Sequence, residues 1–206
     1  MNMLRRSFRY SFNSVVFYII GVNILVFLAQ NVFRGLTLYL AMIPSLVLKG
    51  WVWQFVTYMF VHQGFSHIFF NMLGLLIFGT YVEEQMGSKE FLLYYFVTGA
   101  LAGIISFGFY FFTKTDPALL GASGAIFAVE LAFAVFYPDS RVYIWGILPL
   151  RAPVMVLGYT ALEIFFAITR MRQGVAHLTH LSGFAVGWLY FLIRLGINPW
   201  RAFRGR

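Results

Sequence analysis

The sequence predicts an all-α fold, a polytopic membrane bundle of six transmembrane helices. Of the 206 residues, 61% are hydrophobic and only 11% are charged, whereas soluble domains carry about 25% charged residues. Six stretches approach the length of about 20 apolar residues that crosses the core of a bilayer. A chain with so few charges cannot cover a water-exposed surface, so its main partner is expected to be the lipid bilayer.

Composition also excludes other classes of protein. The chain has no cysteine, which excludes a disulfide scaffold and zinc sites built on thiolates. Its net charge of +8 comes from 15 lysine and arginine residues that are scattered singly along the chain. Nucleic-acid-binding proteins gather such residues on one face, so we expect no nucleic-acid partner.

The six predicted spans follow one another along the chain. The first, near residues 15–32, lies behind three arginines and resembles a signal peptide. It lacks a small-residue cleavage site, which favours a retained anchor helix. The other five lie near residues 66–82, 91–112, 123–137, 153–169 and 177–195.

The connections between the spans predict the orientation and domain organisation. With the N-terminus inside, ten of the 15 lysine and arginine residues lie on the inner side, so both termini are expected to be cytoplasmic. We divide the chain into a cytoplasmic segment 1–13, a six-helix domain 14–196 and a basic cytoplasmic tail 197–206. Within the domain, residues 33–65 form a long, aromatic outer loop expected at the headgroup boundary. A short chain of this kind is typical of the bacterial inner membrane.

Two polar residues lie near the outer end of the second predicted span. His67 and Asn71 are four residues apart and therefore share a helix face. Their amide and ring N–H groups supply several hydrogen-bond donors aimed at one place, which can hold a transient anion. The same pair could instead join two helices by hydrogen bonds, and the residues alone leave both functions open.

A serine among small residues opens the fourth predicted span. Ser123 lies between Gly121 and Gly124, at a helix N-terminus where free N–H groups and the helix dipole favour negative charge. Its hydroxyl is a candidate nucleophile. A packing serine in a small-residue interface is the more common alternative.

The sixth predicted span begins with a histidine followed by two glycines on the same face. His180, Gly183 and Gly187 are spaced at i, i+3 and i+7, so another backbone can approach closely where the imidazole lies. The small-residue start of the fourth span is its natural neighbour. That contact would place His180 beside Ser123, as a nucleophile and its general base require.

The four histidines also raise the question of a metal site. Zinc sites favour recognisable ligand spacings. The chain has no His-Glu-x-x-His pattern, and no carboxylate is adjacent in sequence to any histidine. We therefore expect no metal. The histidines are His62, His67, His177 and His180.

These motifs resemble those of the rhomboid family of intramembrane serine proteases, over nearly all of the chain from the first span onward. Gly121-x-Ser123-Gly124 is similar to the family's nucleophile motif. His180-x-x-Gly183-x-x-x-Gly187 is similar to its sixth-helix histidine motif. The resemblance implies a six-span bundle in which Ser123 is the nucleophile and His180 the general base, without metal or cofactor.

The resemblance extends to the second span. His67-x-x-x-Asn71 is similar to the family motif that helps to form the oxyanion hole, so Asn71, His67 and the backbone N–H of Ser123 are implied to hold the oxyanion. His62 and Glu83 match further family positions.

Other positions are implied to support the site or depart from the family pattern. Phe127 stands where many members have a tyrosine on which the imidazole stacks, and Gln54 follows Trp53 where many have arginine. Glu130 lies seven residues after Ser123, about 10 Å deeper at 1.5 Å per residue, and is too far to act as a third catalytic member. With no Asp or Glu expected beside His180, we predict a two-residue dyad with His177, one turn earlier, as a modest second influence. The alternative is that Glu130 or Glu163 reaches the site through ordered water.

The function implied by this resemblance is a serine endopeptidase that cleaves transmembrane helices of membrane proteins near the outer face. Two alternatives remain at this point. The first is a non-catalytic rhomboid-like protein that binds transmembrane helices, although such relatives typically lack the serine or the histidine. The second is a transporter or proton channel, which is expected to show internal repeats with broken helices. Oligomeric state and the identity of the substrate stay open.

Overall fold

The fold is a bundle of helices, seen in a computed structural model that describes residues 8–144, 146–169 and 177–205. The six principal helices begin and end within a few residues of the predicted spans, and the predicted all-α helical bundle is confirmed. Five of them are long and apolar enough to cross a membrane. The five are α1 (Val15–Val32), α2 (Phe65–Met86), α3 (Ser88–Thr113), α5 (Ala152–Thr169) and α6 (His177–Leu195), and the sixth principal helix is the shorter α4 (Ser123–Phe136). A short helix α7, Pro199–Phe203, follows.

Helix α4 is the centre of the bundle and is much shorter than its neighbours. It contacts α2, α3, α5 and α6, and most of its 14 residues are buried. At 1.5 Å per residue it is about 21 Å long, less than the roughly 30 Å core of a bilayer. The first residue of α4, Ser123, lines a cavity together with the C-terminal part of the longer, 26-residue α3.

Small residues allow α4 and α6 to pack at backbone contact. A Cβ atom added to Gly183 would lie 1.9 Å from the carbonyl oxygen of Gly124. A Cβ atom added to Gly187 would lie 2.6 Å from the hydroxyl of Tyr94 and 3.0 Å from the Cβ of Ala128. Close packing of small residues is a main source of helix association in lipid, and here it fixes the two helices that carry Ser123 and His180.

Glu83 joins the N-terminal end of α1 to the C-terminal end of α2. Its carboxylate accepts hydrogen bonds from the backbone N–H groups of Val15 at 2.8 Å and Val16 at 3.1 Å, and from the hydroxyl of Ser88 at 2.6 Å. The first N–H groups of a helix have no partner within the helix, and the helix dipole favours an anion there. A side chain of α2 therefore caps α1.

The loop between α1 and α2 is folded. It contains the short helices Leu36–Leu40, Pro44–Val47 and Gln54–Thr57 and a 3-10 turn at Tyr58–Phe60. Gln54 is fully buried and bonds the backbone on both sides, donating to the carbonyl of Leu38 at 3.0 Å and accepting from the N–H of Ile43 at 3.0 Å. The residue that replaces the family's arginine thus holds the loop together.

Between α4 and α5 the chain forms a β-hairpin that the all-α prediction missed. Strands β1 (Arg141–Ile144) and β2 (Leu148–Arg151) pair antiparallel, with Arg141 opposite Arg151. The predicted charge asymmetry also depends on residues outside the described ones, namely Arg5, Arg6, Arg170, Arg172 and Arg206.

Candidate active site

A tight turn brings the chain into α4 and places Ser123. Gly121 adopts φ +112°, a conformation that L side chains rarely adopt. A Cβ atom there would also lie 2.7 Å from Nε2 of His67. The positive φ and the nearness of His67 each require glycine at position 121. Because glycine has no side chain, the His67 ring can approach the start of α4.

Ser123 and His180 meet as the sequence predicts. Nε2 of His180 lies 2.7 Å from Oγ of Ser123, although the two residues are 57 positions apart. The ring of Phe127 stacks on the imidazole with centroids 4.6 Å apart and planes 9° from parallel. The imidazole is held between the phenyl ring and the serine, in the contact that a nucleophile and its base need.

The structure corrects one expectation about His180. The sequence predicts no carboxylate beside it, but Oε1 of Glu163 lies 3.2 Å from Nδ1 of His180. The other oxygen of Glu163 lies 2.6 Å from Nδ1 of His177, so His177 also contacts the carboxylate. The expectation was wrong because Glu163, which the alternative linked to the site only through ordered water, contacts His180 directly. Glu163 belongs to α5, which neighbours α6 in sequence, and consecutive antiparallel helices bring residues near their connection together.

The candidate oxyanion donors lie on the other side of Ser123. Nδ1 of His67 accepts the backbone N–H of Gln63 at 3.4 Å, so a neutral ring carries its proton on Nε2, the atom nearest Gly121. The side-chain amide of Asn71 donates to the carbonyl of His67 at 2.7 Å. Both residues line the same cavity as Ser123.

One cavity unites these groups. Its volume is about 1200 Å³, and it extends from the start of α4 to the C-terminal end of α3 and the segment between them. At the rim, Asp116 accepts the backbone N–H of Ser45 at 2.8 Å. Hydrogen bonds from Ser45 lower the pKa of the exposed Asp116 carboxyl. The lining residues that the sequence singled out are His67, Asn71, Ser123 and His180.

His62 lies beneath this site, outside the helices. Its side chain is 2% exposed, and its ring packs edge-on against His67 with centroids 5.0 Å apart. Burial, and secondarily the neighbouring His67, lowers the pKa of His62 to about 4. In the described part of the chain, no group of three or more His, Asp or Glu side chains is arranged to hold a metal ion.

Comparison with known proteins decides the family. The Rhomboid domain family profile matches residues 49–197. The chain belongs to the rhomboid family. It is an integral membrane protein of this family, built from several apolar helices.

Relatives of this rhomboid occur in bacteria and plants. Rhomboid protease GlpG of Haemophilus influenzae is 30% identical over 172 residues, which cover 82% of this chain and 85% of the relative. Rhomboid-like protein 11, chloroplastic, of Arabidopsis thaliana is 30% identical over 84% of this chain, but the match spans only 62% of the plant protein. Rhomboid protease GluP of Bacillus subtilis is 42% identical over 83 residues, which cover 40% of this chain and 15% of the relative. The family thus includes proteases and rhomboid-like proteins.

Proposed function

We propose that this rhomboid is an intramembrane serine endopeptidase in which Ser123 is the nucleophile and His180 the general base. One observation carries the proposal. The 2.7 Å contact between Oγ of Ser123 and Nε2 of His180 lies in a cavity that His67 and Asn71 also line. A nucleophile, a base and candidate oxyanion donors around one space are what acyl transfer requires.

In the acylation step, Oγ of Ser123 attacks the carbonyl carbon of a substrate peptide bond and its proton passes to Nε2 of His180. The C–N bond then breaks, and the imidazolium returns that proton to the leaving amine. The products of this step are an ester on Ser123 and a new amino terminus. His180 ends neutral, as it began.

Deacylation repeats the sequence with water. His180 removes a proton from a water molecule that attacks the ester carbon, and then protonates Oγ of Ser123 as the ester bond breaks. The carboxyl product leaves, and one water molecule has been consumed for each peptide bond cleaved. In both steps the oxyanion accepts hydrogen bonds from Nε2–H of His67, the Asn71 amide and the backbone N–H of Ser123.

The substrates we propose are transmembrane segments of other membrane proteins, cleaved near the outer face. The position of Ser123 at the outer end of a short central helix supports this class of substrate. The excess of lysine and arginine on the opposite side supports cytoplasmic termini. A reporter that is active only in the cytoplasm tests this orientation when it is fused to either end.

The test is cleavage of a tagged transmembrane substrate in liposomes. Ser123→Ala and His180→Ala should each abolish cleavage, and a fluorophosphonate should label wild type but not Ser123→Ala. Ser140→Ala, in the connection before the β-hairpin, is the matched control and should keep the wild-type rate. Wild-type activity in either site variant would refute the assignment. Binding of the substrate without cleavage or labelling would instead indicate a non-catalytic helix-binding relative.

A further inference from the structure

Glu163 is an acidic residue of a membrane-spanning helix that bridges two histidines of the next helix. Its carboxylate oxygens lie 2.6 Å from Nδ1 of His177 and 3.2 Å from Nδ1 of His180. The three side chains are 16%, 10% and 12% exposed, respectively. An ionisable residue inside a span is costly and tends to face a partner or a polar cavity, so this placement needs a reason.

We propose that Glu163 is a positioning residue for His180, whose carboxylate holds the imidazole with its proton on Nδ1 and stabilises the imidazolium. This inference rests on the proposed function. Glu163 touches neither the substrate nor Ser123 in this arrangement, and it acts through His180.

The first step of the argument concerns the tautomer of His180. A neutral imidazole has one N–H group and one acceptor nitrogen. If the proton of the neutral ring were on Nε2, that nitrogen, which faces Oγ of Ser123, could not accept the proton of the serine. An ionised carboxylate accepts hydrogen bonds and cannot donate them, so Oε1 of Glu163 beside Nδ1 favours the tautomer that leaves Nε2 free to act as the base.

The second step concerns charge. When His180 takes the proton of Ser123 it becomes an imidazolium, and an anion 3.2 Å away attracts it more strongly in a partly buried site than in water. The approach to His180 is an ion-pair distance without an aligned hydrogen bond to Nδ1, and it is longer than the 2.6 Å hydrogen-bonded contact with His177. Such contacts often tighten only when the reacting complex forms, so the gain is expected in the transition state.

The third step concerns what fixes the carboxylate. His177 binds Oε2, which leaves Oε1 directed to His180. The ring of Phe127 covers one face of His180. The titratable groups that face His180 are therefore Glu163 from α5, His67 from α2 and Ser123 from α4, with His177 one turn away in α6.

The experiment measures kcat, KM and the pH profile of cleavage for Glu163→Gln in liposomes. We expect kcat to fall 10- to 100-fold with KM changed less than twofold, because positioning of the base affects the transition state and not binding. The midpoint of the rise of kcat with pH should move down by at least half a pH unit, since the imidazolium loses its anionic partner. Glu163→Asp, which keeps the charge on a shorter stem, should recover part of both effects.

The matched control is Glu130→Gln, the same change at the other glutamate within a predicted span, which should leave kcat and the pH midpoint unchanged. If Ser123→Ala abolishes cleavage but Glu163→Gln retains the wild-type kcat and midpoint, the role of Glu163 is refuted and the proposed function stands. If Ser123→Ala still cleaves, the proposed function itself fails.

A second measurement uses the unmodified chain and so does not depend on whether a variant folds. The ¹⁵N chemical shifts of the histidine rings, with His180 assigned by its through-bond connectivity to the backbone in the unmodified chain, report which nitrogen carries the proton. We expect the Nδ1–H tautomer for His180 at neutral pH. A dominant Nε2–H tautomer would overturn the proposal.

Discussion

Gly183 of α6 lies against the main-chain carbonyl of Gly124 in α4, so closely that a single added methyl group would stand 1.9 Å from the carbonyl oxygen. Backbone atoms cannot move aside as flexible side chains do, so Gly183→Ala must push the two helices apart. Overpacking of a core typically costs about 1–3 kcal/mol, and we expect at least the upper end of that range with loss of activity.

The measurement is thermal unfolding in detergent together with the rate of substrate cleavage. Gly158→Ala is the matched control, because a Cβ atom at this glycine of α5 meets nothing within 4 Å. It should be neutral or slightly stabilising, since alanine is the better helix former. Equal melting temperatures for Gly183→Ala and wild type would show that the contact between α4 and α6 is looser than described.

Asn71→Ala should slow cleavage without abolishing it. The amide is one of three proposed donors to the oxyanion, and the loss of one such donor in a hydrolase costs roughly 10²–10³-fold in kcat. His67 and the N–H of Ser123 remain. Steady-state kinetics in liposomes check this, and the labelling of Ser123 by a fluorophosphonate should persist. An Asn71→Ala rate within twofold of wild type would remove Asn71 from the oxyanion hole.

His62 predicts a loss of stability on mild acidification. Its folded pKa is lowered to about 4, whereas an unfolded histidine has a pKa of about 6.5. Between these values the unfolded chain binds more protons, so the free energy of unfolding falls as pH decreases from about 6.5 towards 4.

In His62→Gln this contribution should disappear, and the decline of melting temperature between pH 6.5 and 4 should become shallower. The hydrogen bonds between the backbone of residue 62 and the side-chain amide of Gln30 do not involve the imidazole ring, so the variant keeps them. If wild type and His62→Gln show the same slope, the buried histidine does not control the acid sensitivity.

Glu83→Gln should weaken the attachment of α1. The carboxylate accepts three hydrogen bonds from Val15, Val16 and Ser88, and an amide has only one oxygen to offer and adds an NH2 group among donors. Hydrogen bonds to charged groups contribute about 1.5–3 kcal/mol each, so we expect a loss of that order in the free energy of unfolding. Glu84→Gln, at the exposed neighbouring position, is the control that should be silent.

Much of this fold can be predicted from hydropathy, because the length of an apolar stretch identifies a membrane-spanning helix. The spacing of Gly183 and Gly187 behind His180 also predicted which face of α6 meets the start of α4. These two patterns are sufficient to predict that Ser123 and His180 lie together.

Hydropathy does not predict contacts that depend on which helices are neighbours and how each is rotated about its axis. The approach of Glu163 to His180 requires that α5 and α6 be neighbours and that their rotations match, and neither is encoded in one helix alone. The capping of α1 by Glu83 is a contact across 68 positions of the chain. The β-hairpin follows only weak signals, a Pro138-Asp139 pair and Gly146 between short β-branched and aromatic stretches.

The proposed reaction has two reactants, a transmembrane segment and water, and they occupy different phases. The shortness of α4 affects how both reach Ser123. An apolar polypeptide segment partitions into hydrocarbon, and water is nearly absent there. A full-length central span would keep Ser123 at the headgroups, where only the water is abundant. In the orientation we propose, α4 begins below the headgroups, and the cavity at its first residue gives water a route to the hydroxyl of Ser123 at the depth of the substrate segment.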